Sequence, residues 1–115
     1  MKALHDVQPV LLERTAAGYV VRWDLAQVTN EEDGETRWEC EEAIASARTY
    51  EAVVSAMIHA KYTTDQEIAT INNHLVGQDE DEWLEYQAWR TWVKAYVSGT
   101  LNLQDCIYNG LLFQS

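Results

Sequence analysis

Residues that interrupt folded segments are scarce in this sequence, which has one proline and five glycines among 115 residues. A chain with so few of them contains no Pro-, Gly- or Ser-rich linker of the kind that separates domains. Hydrophobic residues make up 47% of the chain, which is enough to bury one compact core. We therefore expect a single domain.

Basic side chains are also few, because 8 Lys and Arg stand against 19 Asp and Glu, for a formal charge of −11. Phosphate backbones and anionic membranes are bound through Lys and Arg, so this excess of acid disfavours direct binding of either. The sequence has no apolar run of about 18 residues, and Lys2, His5 and Asp6 precede any apolar stretch that could serve as a signal peptide. We expect a cytoplasmic protein.

Residue types that carry catalysis or bind metals are few and scattered. Cys40 and Cys106 lie far apart and outside any Cys-x-x-Cys pair, which predicts buried thiols; a disulfide between them stays open but is disfavoured in a chain without a leader. His5, His59 and His74 belong to three different predicted elements with no ligand spacing. Signatures of serine or cysteine hydrolases are missing. We expect no catalytic residues, no metal and no cofactor.

Acidic residues gather at Glu31–Asp33 and at Asp79–Glu82. The first group lies in a predicted turn and the second at a predicted helix start, where solvated charge is usual. The clusters also permit a second interpretation, in which carboxylates imitate DNA phosphates and occupy a host DNA-binding protein, as phage anti-restriction proteins do. Basic residues such as Arg90 and Lys94 interrupt the helical faces and favour the first interpretation.

The first third of the chain predicts antiparallel strands. Pro9–Leu12 is the first of them and a turn at Gly18 follows. The next strand alternates in polarity, with one apolar face made of Tyr19, Val21, Trp23 and Leu25.

Asp33-Gly34 predicts the next hairpin, because a two-residue type I′ turn favours Asp-Gly. Such a loop pairs Thr29 with Trp38. In that register Trp38 and Cys40 lie on the same sheet face as Trp23, whereas a slip by one residue would separate them. The Asp-Gly turn and the alternation of apolar residues along the two strands thus predict the same register.

Helical periodicity replaces alternation from Thr49 onward. The second helix has Thr64 as its predicted N-cap, Glu67 as the partner in a capping box, and Gly77 as its end. The first helix carries one stripe with a polar opposite face, made of Tyr50, Val53, Val54, Met57, Ile58 and Lys61. The second has a predicted buried side of Ile68, Ile71 and Leu75.

A third helix begins with Asp79–Glu82 and runs through about Val97, before Gly99. Its apolar arc is unusually broad and predicts packing against the sheet on one side and against a helix or a subunit on the other. One side of the arc consists of Trp83, Tyr86, Trp89, Val93, Tyr96 and Val97, and the other of Leu84, Ala88, Trp92 and Ala95.

The aromatic residues of this helix fit two interpretations. A small domain needs large side chains to fill its core, whereas Trp and Tyr are also enriched at protein interfaces. Both interpretations stay open from the sequence. The candidate interaction residues are Trp83, Tyr86, Trp89, Arg90, Trp92 and Tyr96.

Together these patterns predict an α+β fold in which an N-terminal antiparallel three-stranded meander is followed by about three helices packed on one sheet face. Residues 1–98 form the predicted domain. Residues 99–115 form a C-terminal segment, docked on the domain or bound by a partner, in which Asn102 caps a short helix ending at Gly110. Its apolar end, Leu111–Phe113, should be covered because exposed apolar ends promote association.

Three stretches, Gly18–Asp24, Tyr50–Tyr62 and Glu85–Arg90, resemble small proteins encoded in phages and prophages of gut anaerobes. The third stretch is also similar to the Tyr/Trp-Arg helix near the C-terminus of phage tail fibre assembly proteins. The resemblance covers roughly residues 8–98, and its motifs are structural, so it implies no catalytic or binding residues.

Two functions follow as expectations. The first is a non-enzymatic protein–protein interaction or assembly factor of phage or prophage origin, with a tail as one setting, acting on a protein partner or on a second copy. Such a protein would reside in the host cytoplasm or in a phage particle. The second is an acidic inhibitor that mimics nucleic acid and binds a host DNA-binding protein.

Overall fold

The computed structural model describes residues 2–103, which form four strands, three α-helices and one π-helical turn. The α+β class is as predicted. The elements are β1 Lys2–His5, β2 Leu12–Thr15, β3 Gly18–Thr29, β4 Thr36–Ala45, α1 Tyr50–Lys61, α2 Thr64–Leu75, α3 Glu80–Ala95 and the π turn Tyr96–Thr100.

The strands form one antiparallel sheet in the order β1-β4-β3-β2, which has one strand more than predicted. The sequence pattern missed β1, because four residues are too few to show alternation, and placed the next strand at Pro9–Leu12 instead of Leu12–Thr15. Since β1 and β2 occupy opposite edges, residues 6–11 must connect them across the sheet. Arg22 Nη1 donates to the Val10 carbonyl oxygen at 2.7 Å, so this connection covers the face that carries Arg22.

The hairpin between β3 and β4 has a longer loop than predicted. Thr29 pairs with Thr36, so the predicted pairing of Thr29 with Trp38 was wrong by two residues. The Asn30 and Asp33 side chains explain the difference, because each accepts a hydrogen bond from the backbone N–H two residues later, at 2.9 Å. These Asx turns stabilise the loop of residues 30–35, in which only Gly34 is left-handed.

A β-bulge interrupts β3 in the middle of this hairpin. Between Trp23 and Ala26, two residues of β3, Asp24 and Leu25, oppose the single residue Cys40 of β4. Asp24 has a φ of 55°, a left-handed conformation that is uncommon for a residue with a side chain. The extra residue bends the strand and shifts the register by one.

The bulge reverses which side chains share a sheet face, because the side-chain period in a strand is two. Trp38 and Cys40 lie on the face opposite Trp23, so the prediction that all three share a face was wrong. Leu25 was predicted on the face of Trp23 by regular alternation, but it is one of the two residues of the bulge, where that alternation is interrupted. The sequence pattern predicts uninterrupted alternation, because neither Asp24 nor its neighbours mark a bulge.

The core lies between α1, α3 and the sheet face that carries Val21 and Trp23. Thr49 caps α1 by accepting a hydrogen bond from the Ala52 N–H at 3.2 Å. The predicted apolar stripe of α1 supplies its buried residues, Val53, Val54, Met57 and Ile58.

Helix α2 begins one residue earlier than predicted. Its capping box joins Thr63 and Gln66, with the Gln66 N–H donating to Thr63 Oγ1 at 3.2 Å and the Thr63 N–H donating to Gln66 Oε1 at 2.8 Å. The predicted cap, Thr64, is the first helical residue instead. Gly77 follows the helix with a φ of +75°, the left-handed conformation predicted for it.

The predicted buried side of α2 is exposed. The exposed fractions are 52% for Ile68, 38% for Ile71 and 74% for Leu75, whereas Thr70 is the buried residue of this helix. The helix packs against α3 through polar contacts, among them a 3.0 Å hydrogen bond from Thr70 to Glu82. Periodicity locates an apolar face but does not say whether another element covers it.

Helix α3 gives way to the π turn at Tyr96, where the Leu101 N–H bonds to the Tyr96 carbonyl at 3.0 Å. Gly99 lies within this turn. Leu101 and Leu103 are buried in the core. Cys106, the helix predicted to end at Gly110 and the apolar end at residues 111–113 lie outside the described residues.

Candidate functional site

The six aromatic and basic residues predicted for interaction, five on α3 and Tyr96 at the start of the π turn, differ in burial. Tyr86 is buried, Trp83, Trp89 and Tyr96 are partly buried against the core, and Trp92 is 40% exposed. The partly buried guanidinium of Arg90 lies 5.6 Å from the ring centre of Tyr86. Most of the set therefore fills the interior, and Trp92 is the aromatic residue among them that solvent reaches most.

Polar atoms of the interior aromatic residues bind the neighbouring elements. The Tyr86 hydroxyl donates to the Glu67 carboxylate, and burial together with that bond raises the pKa of Tyr86 to about 12. The Tyr96 hydroxyl donates to the Arg22 carbonyl oxygen, and burial raises the pKa of Tyr96 to about 12. Both phenols are neutral donors at physiological pH, so their role is structural.

Helix α3 presents a second, exposed apolar stripe, which we call the outer face of α3 and define as Leu84, Ala88, Trp92 and Ala95. All four residues are exposed, Leu84 by 62%. They are the side of the helix that the sequence predicted to pack against another helix or subunit. The described residues place no such element over them, so the stripe faces solvent.

Two neighbouring rings hold Trp92 in place. Its ring centre lies 5.2 Å from that of Trp89 and 5.0 Å from that of Tyr96, with interplanar angles of 14° and 15°. Trp89 is fixed in turn by an Nε1 hydrogen bond of 3.3 Å to the Met57 carbonyl. A stacked, anchored indole loses little conformational entropy on binding.

Carboxylates flank the outer face of α3. Asp81 lies three residues before Leu84 and Glu85 three residues before Ala88, which places both acids beside the stripe, and both are exposed. The outer face is therefore an apolar strip with an anionic border.

The sheet face opposite the helices carries a buried ion-pair network centred on Arg22. Its Nη1 lies 2.9 Å from the Glu13 carboxylate, and its Nε donates to Glu42 Oε2. His5 Nε2 lies 3.0 Å from the same Glu42 oxygen. Burial alone would raise the pKa of the Glu42 carboxyl, but the hydrogen bonds from Arg22 and His5 outweigh it and hold that pKa below its ordinary value.

Cys40 lies beside this network, almost fully buried and with a free thiol. Ligand atoms of His5, Cys40 and Glu42 lie within 4.8 Å of one another. Burial, followed by the charge of Glu42, raises the pKa of the Cys40 thiol, so it is a weak nucleophile. Sequence reasoning missed this convergence, although the spacing of Cys40 and Glu42 already places them on one face of a strand.

A shallow groove of about 650 Å³ lies between β4 and α1 and is lined mainly by small side chains. On its wall, Ser55 Oγ lies 3.3 Å from His59 Nδ1, and His59 Nε2 lies 2.7 Å from Glu67 Oε1. This order of contacts resembles a hydrolytic triad. Ser55 is in the middle of α1, however, where backbone N–H groups are engaged in the helix and cannot form an oxyanion hole, which weighs against acyl transfer.

Comparisons of the chain with protein-family models, with curated proteins and with solved structures gave no match. Among residues 2–103, no helix has the length and apolar character needed to span a membrane.

Proposed function

We propose that this protein is a non-enzymatic protein–protein interaction module that binds a basic protein partner through the outer face of α3. The observation that carries the proposal is the exposed, stacked Trp92 beside Leu84. Tryptophan is the residue type most enriched in binding hot spots, and 40% of the Trp92 surface remains exposed for contact.

Charge favours a partner other than a second copy of the chain. Asp81 and Glu85 border the outer face, and the whole chain carries a formal charge of −11. A symmetric dimer through this face would bring like charges together, whereas a partner with an apolar patch rimmed by Lys and Arg would be complementary.

The resemblance to phage and prophage proteins suggests the setting. A component of a phage particle, such as a tail protein during assembly, is the first partner to test. In that setting the chain would act as an assembly factor in the host cell or as a part of the particle.

Site-specific photocrosslinking tests the proposal. A photoreactive benzoylphenylalanine is introduced at Leu84, or at Arg14 on β2 as the exposed control, and the cells that produce the protein are irradiated. We expect one adduct from position 84, containing a basic protein identified by mass spectrometry, and none from position 14. With the purified partner, Trp92→Ala should weaken binding by about 30-fold, the effect of a hot spot of about 2 kcal/mol.

Other outcomes would contradict the proposal. An adduct with a second copy of the chain would indicate self-association instead. Capture of a DNA-binding protein that survives Trp92→Ala but is lost when Glu31–Asp33 are neutralised would support the nucleic-acid mimic. Circular dichroism of Trp92→Ala must match the parent, as we expect for a side chain outside the core.

A further inference from the structure

We propose that His5, Cys40 and Glu42 form a binding site for a divalent transition-metal ion of the zinc class, on the sheet face opposite the helices. A thiol, an imidazole and a carboxylate converge there from two neighbouring strands. This site is separate from the outer face of α3 and does not depend on the proposed interaction.

The fold brings the three side chains together by strand register. Cys40 and Glu42 are two residues apart on β4 and point to the same face, and His5 of β1 pairs with Trp38 on that face. Residues 6–11 connect β1 to β2 across the same face, where Arg22 donates to the Val10 carbonyl, and Cys40 on that face is 1% exposed. The side chains of His5 and Glu42 keep 27% and 13% of their exposure, so an ion can enter beside them.

The distances suit a tetrahedral ion after a small closure. Ligand atoms around zinc lie about 3.3–3.8 Å apart, given metal–ligand bonds of about 2.0–2.3 Å. His5 Nε2 and Glu42 Oε2 are already 3.0 Å apart, and all three ligand atoms are within 4.8 Å. Rotation of side-chain torsions can close the remaining gap of about 1 Å, leaving the fourth position for water.

The donor set selects the class of ion. Thiolate and imidazole are ligands for zinc and neighbouring transition metals, whereas calcium and magnesium require a shell of oxygen atoms. An ion pair between Arg22 and Glu42 needs no sulfur, yet the fold places a thiol next to it.

Arg22 is compatible with a bound ion. Its charge is balanced by Glu13, 2.9 Å away, and it also donates to the Val10 carbonyl. A carboxylate offers several lone pairs, so Glu42 can bind the metal while it accepts from Arg22, which then orients the ligand. Two charges on the ion are neutralised by the Cys40 thiolate and the Glu42 carboxylate. The thiol proton is released to water on binding, and the neutral His5 ring carries its proton on Nδ1, so that Nε2 exchanges its hydrogen bond to Glu42 for a bond to the ion.

Cobalt titration of the reduced full-length chain tests the site, because a thiolate–Co²⁺ bond gives a near-ultraviolet charge-transfer band. We expect the band to saturate at one equivalent and to be displaced by Zn²⁺. Cys40→Ser should abolish the band, and Cys106→Ser, the matched control, should keep it. His5→Gln should weaken binding more than about tenfold, since loss of even an outer-shell partner costs that much.

Several results would overturn the proposal. They are absence of a band in the reduced parent chain at excess Co²⁺, a band that persists in Cys40→Ser, or a band that disappears in Cys106→Ser. If Cys40→Ser fails to fold by circular dichroism, the His5→Gln variant decides. His59→Gln is the control for His5→Gln, because His59 also pairs with a glutamate but has no role in the proposed site. Equal Co²⁺ affinities of these two variants would reject the metal site.

Discussion

At the scale of single residues, Arg22 and Glu42 show how a buried charge is tolerated. The Arg22 side chain is 7% exposed and the Glu42 side chain 13% exposed, and each would be costly to bury alone. Their mutual contact, the His5 ring and the Val10 carbonyl provide hydrogen bonds for both groups. Removal of the Glu42 carboxylate takes away the more deeply buried of the two acids that pair with Arg22 and leaves Glu13, whose side chain is 48% exposed, as its remaining ion-pair partner.

This network predicts a pH-dependent stability difference. Glu42→Gln should lower the free energy of unfolding by about 3 kcal/mol at pH 7, as expected when a buried ion pair is broken. The folded pKa of Glu42 lies below the unfolded value, so its stabilisation is present above about pH 4.5 and is lost as the pH falls through the folded pKa. Urea denaturation should therefore show the difference between parent and variant shrinking as the pH falls below about 4.5, by the linkage relation.

Glu31→Gln, in the exposed hairpin loop, is the control for this prediction. Glu31→Gln should change the free energy of unfolding by less than about 0.5 kcal/mol at pH 7 and at pH 3. A difference between the parent and Glu42→Gln that stays constant from pH 7 to pH 3 would show that the Glu42 charge does not contribute.

At the scale of elements, α1 and α2 have the same length and similar apolar spacing, but their apolar sides differ in burial. The stripe of α1 meets the sheet and is buried, whereas Ile68, Ile71 and Leu75 of α2 remain exposed. α2 contacts α3 through Thr70, Glu67 and His74 instead, so its polar side is the one that packs. The apolar side of α2 is consequently a second exposed stripe besides the outer face of α3.

The different burial of the two helices predicts different mutational costs. Leu75→Ala, at a residue 74% exposed, should change the free energy of unfolding by less than about 0.5 kcal/mol. Met57→Ala, at a residue with no exposed surface, should cost about 3 kcal/mol through lost burial and a cavity. Urea denaturation of both variants measures the difference. Comparable losses would indicate that α2 is buried as its sequence pattern suggested.

At the scale of the whole molecule, acidic side chains outnumber basic ones by 19 to 8. The few cations are shared, because Arg37 lies near Asp6, Asp33 and Glu35, and Arg22 pairs with two glutamates. Most carboxylates therefore repel one another across the surface, which opposes the compact state.

This surplus charge predicts that salt stabilises the fold. Raising NaCl from 0.02 M to 0.5 M shortens the screening length and relieves repulsion between exposed carboxylates, while the buried Arg22 network is screened less. A gain of about 0.5 kcal/mol would raise the Tm by roughly 2–4 °C for a domain of this size. Differential scanning calorimetry measures it, and a Tm that falls with salt would show that attractive surface pairs dominate.

The candidate sites were only partly predictable. Helical spacing placed Leu84, Ala88, Trp92 and Ala95 on one side of α3, but exposure of that side depends on what the rest of the chain covers. The convergence of His5 with Cys40 and Glu42 could not be predicted, because it depends on the pairing of β1 with β4. Those strands are more than thirty residues apart in the chain.

The sequence by itself determined the α+β class, the strand-first order and the buried stripe of α1, because these depend on side-chain periods between near neighbours. Tertiary structure alone decided the fourth strand, the bulge at Asp24 that places Trp38 and Cys40 opposite Trp23, and the exposure of α2. The physical reason is that strand pairing and burial are set by contacts between distant segments. Local spacing can indicate which side chains share a face, but only those distant contacts determine what covers it.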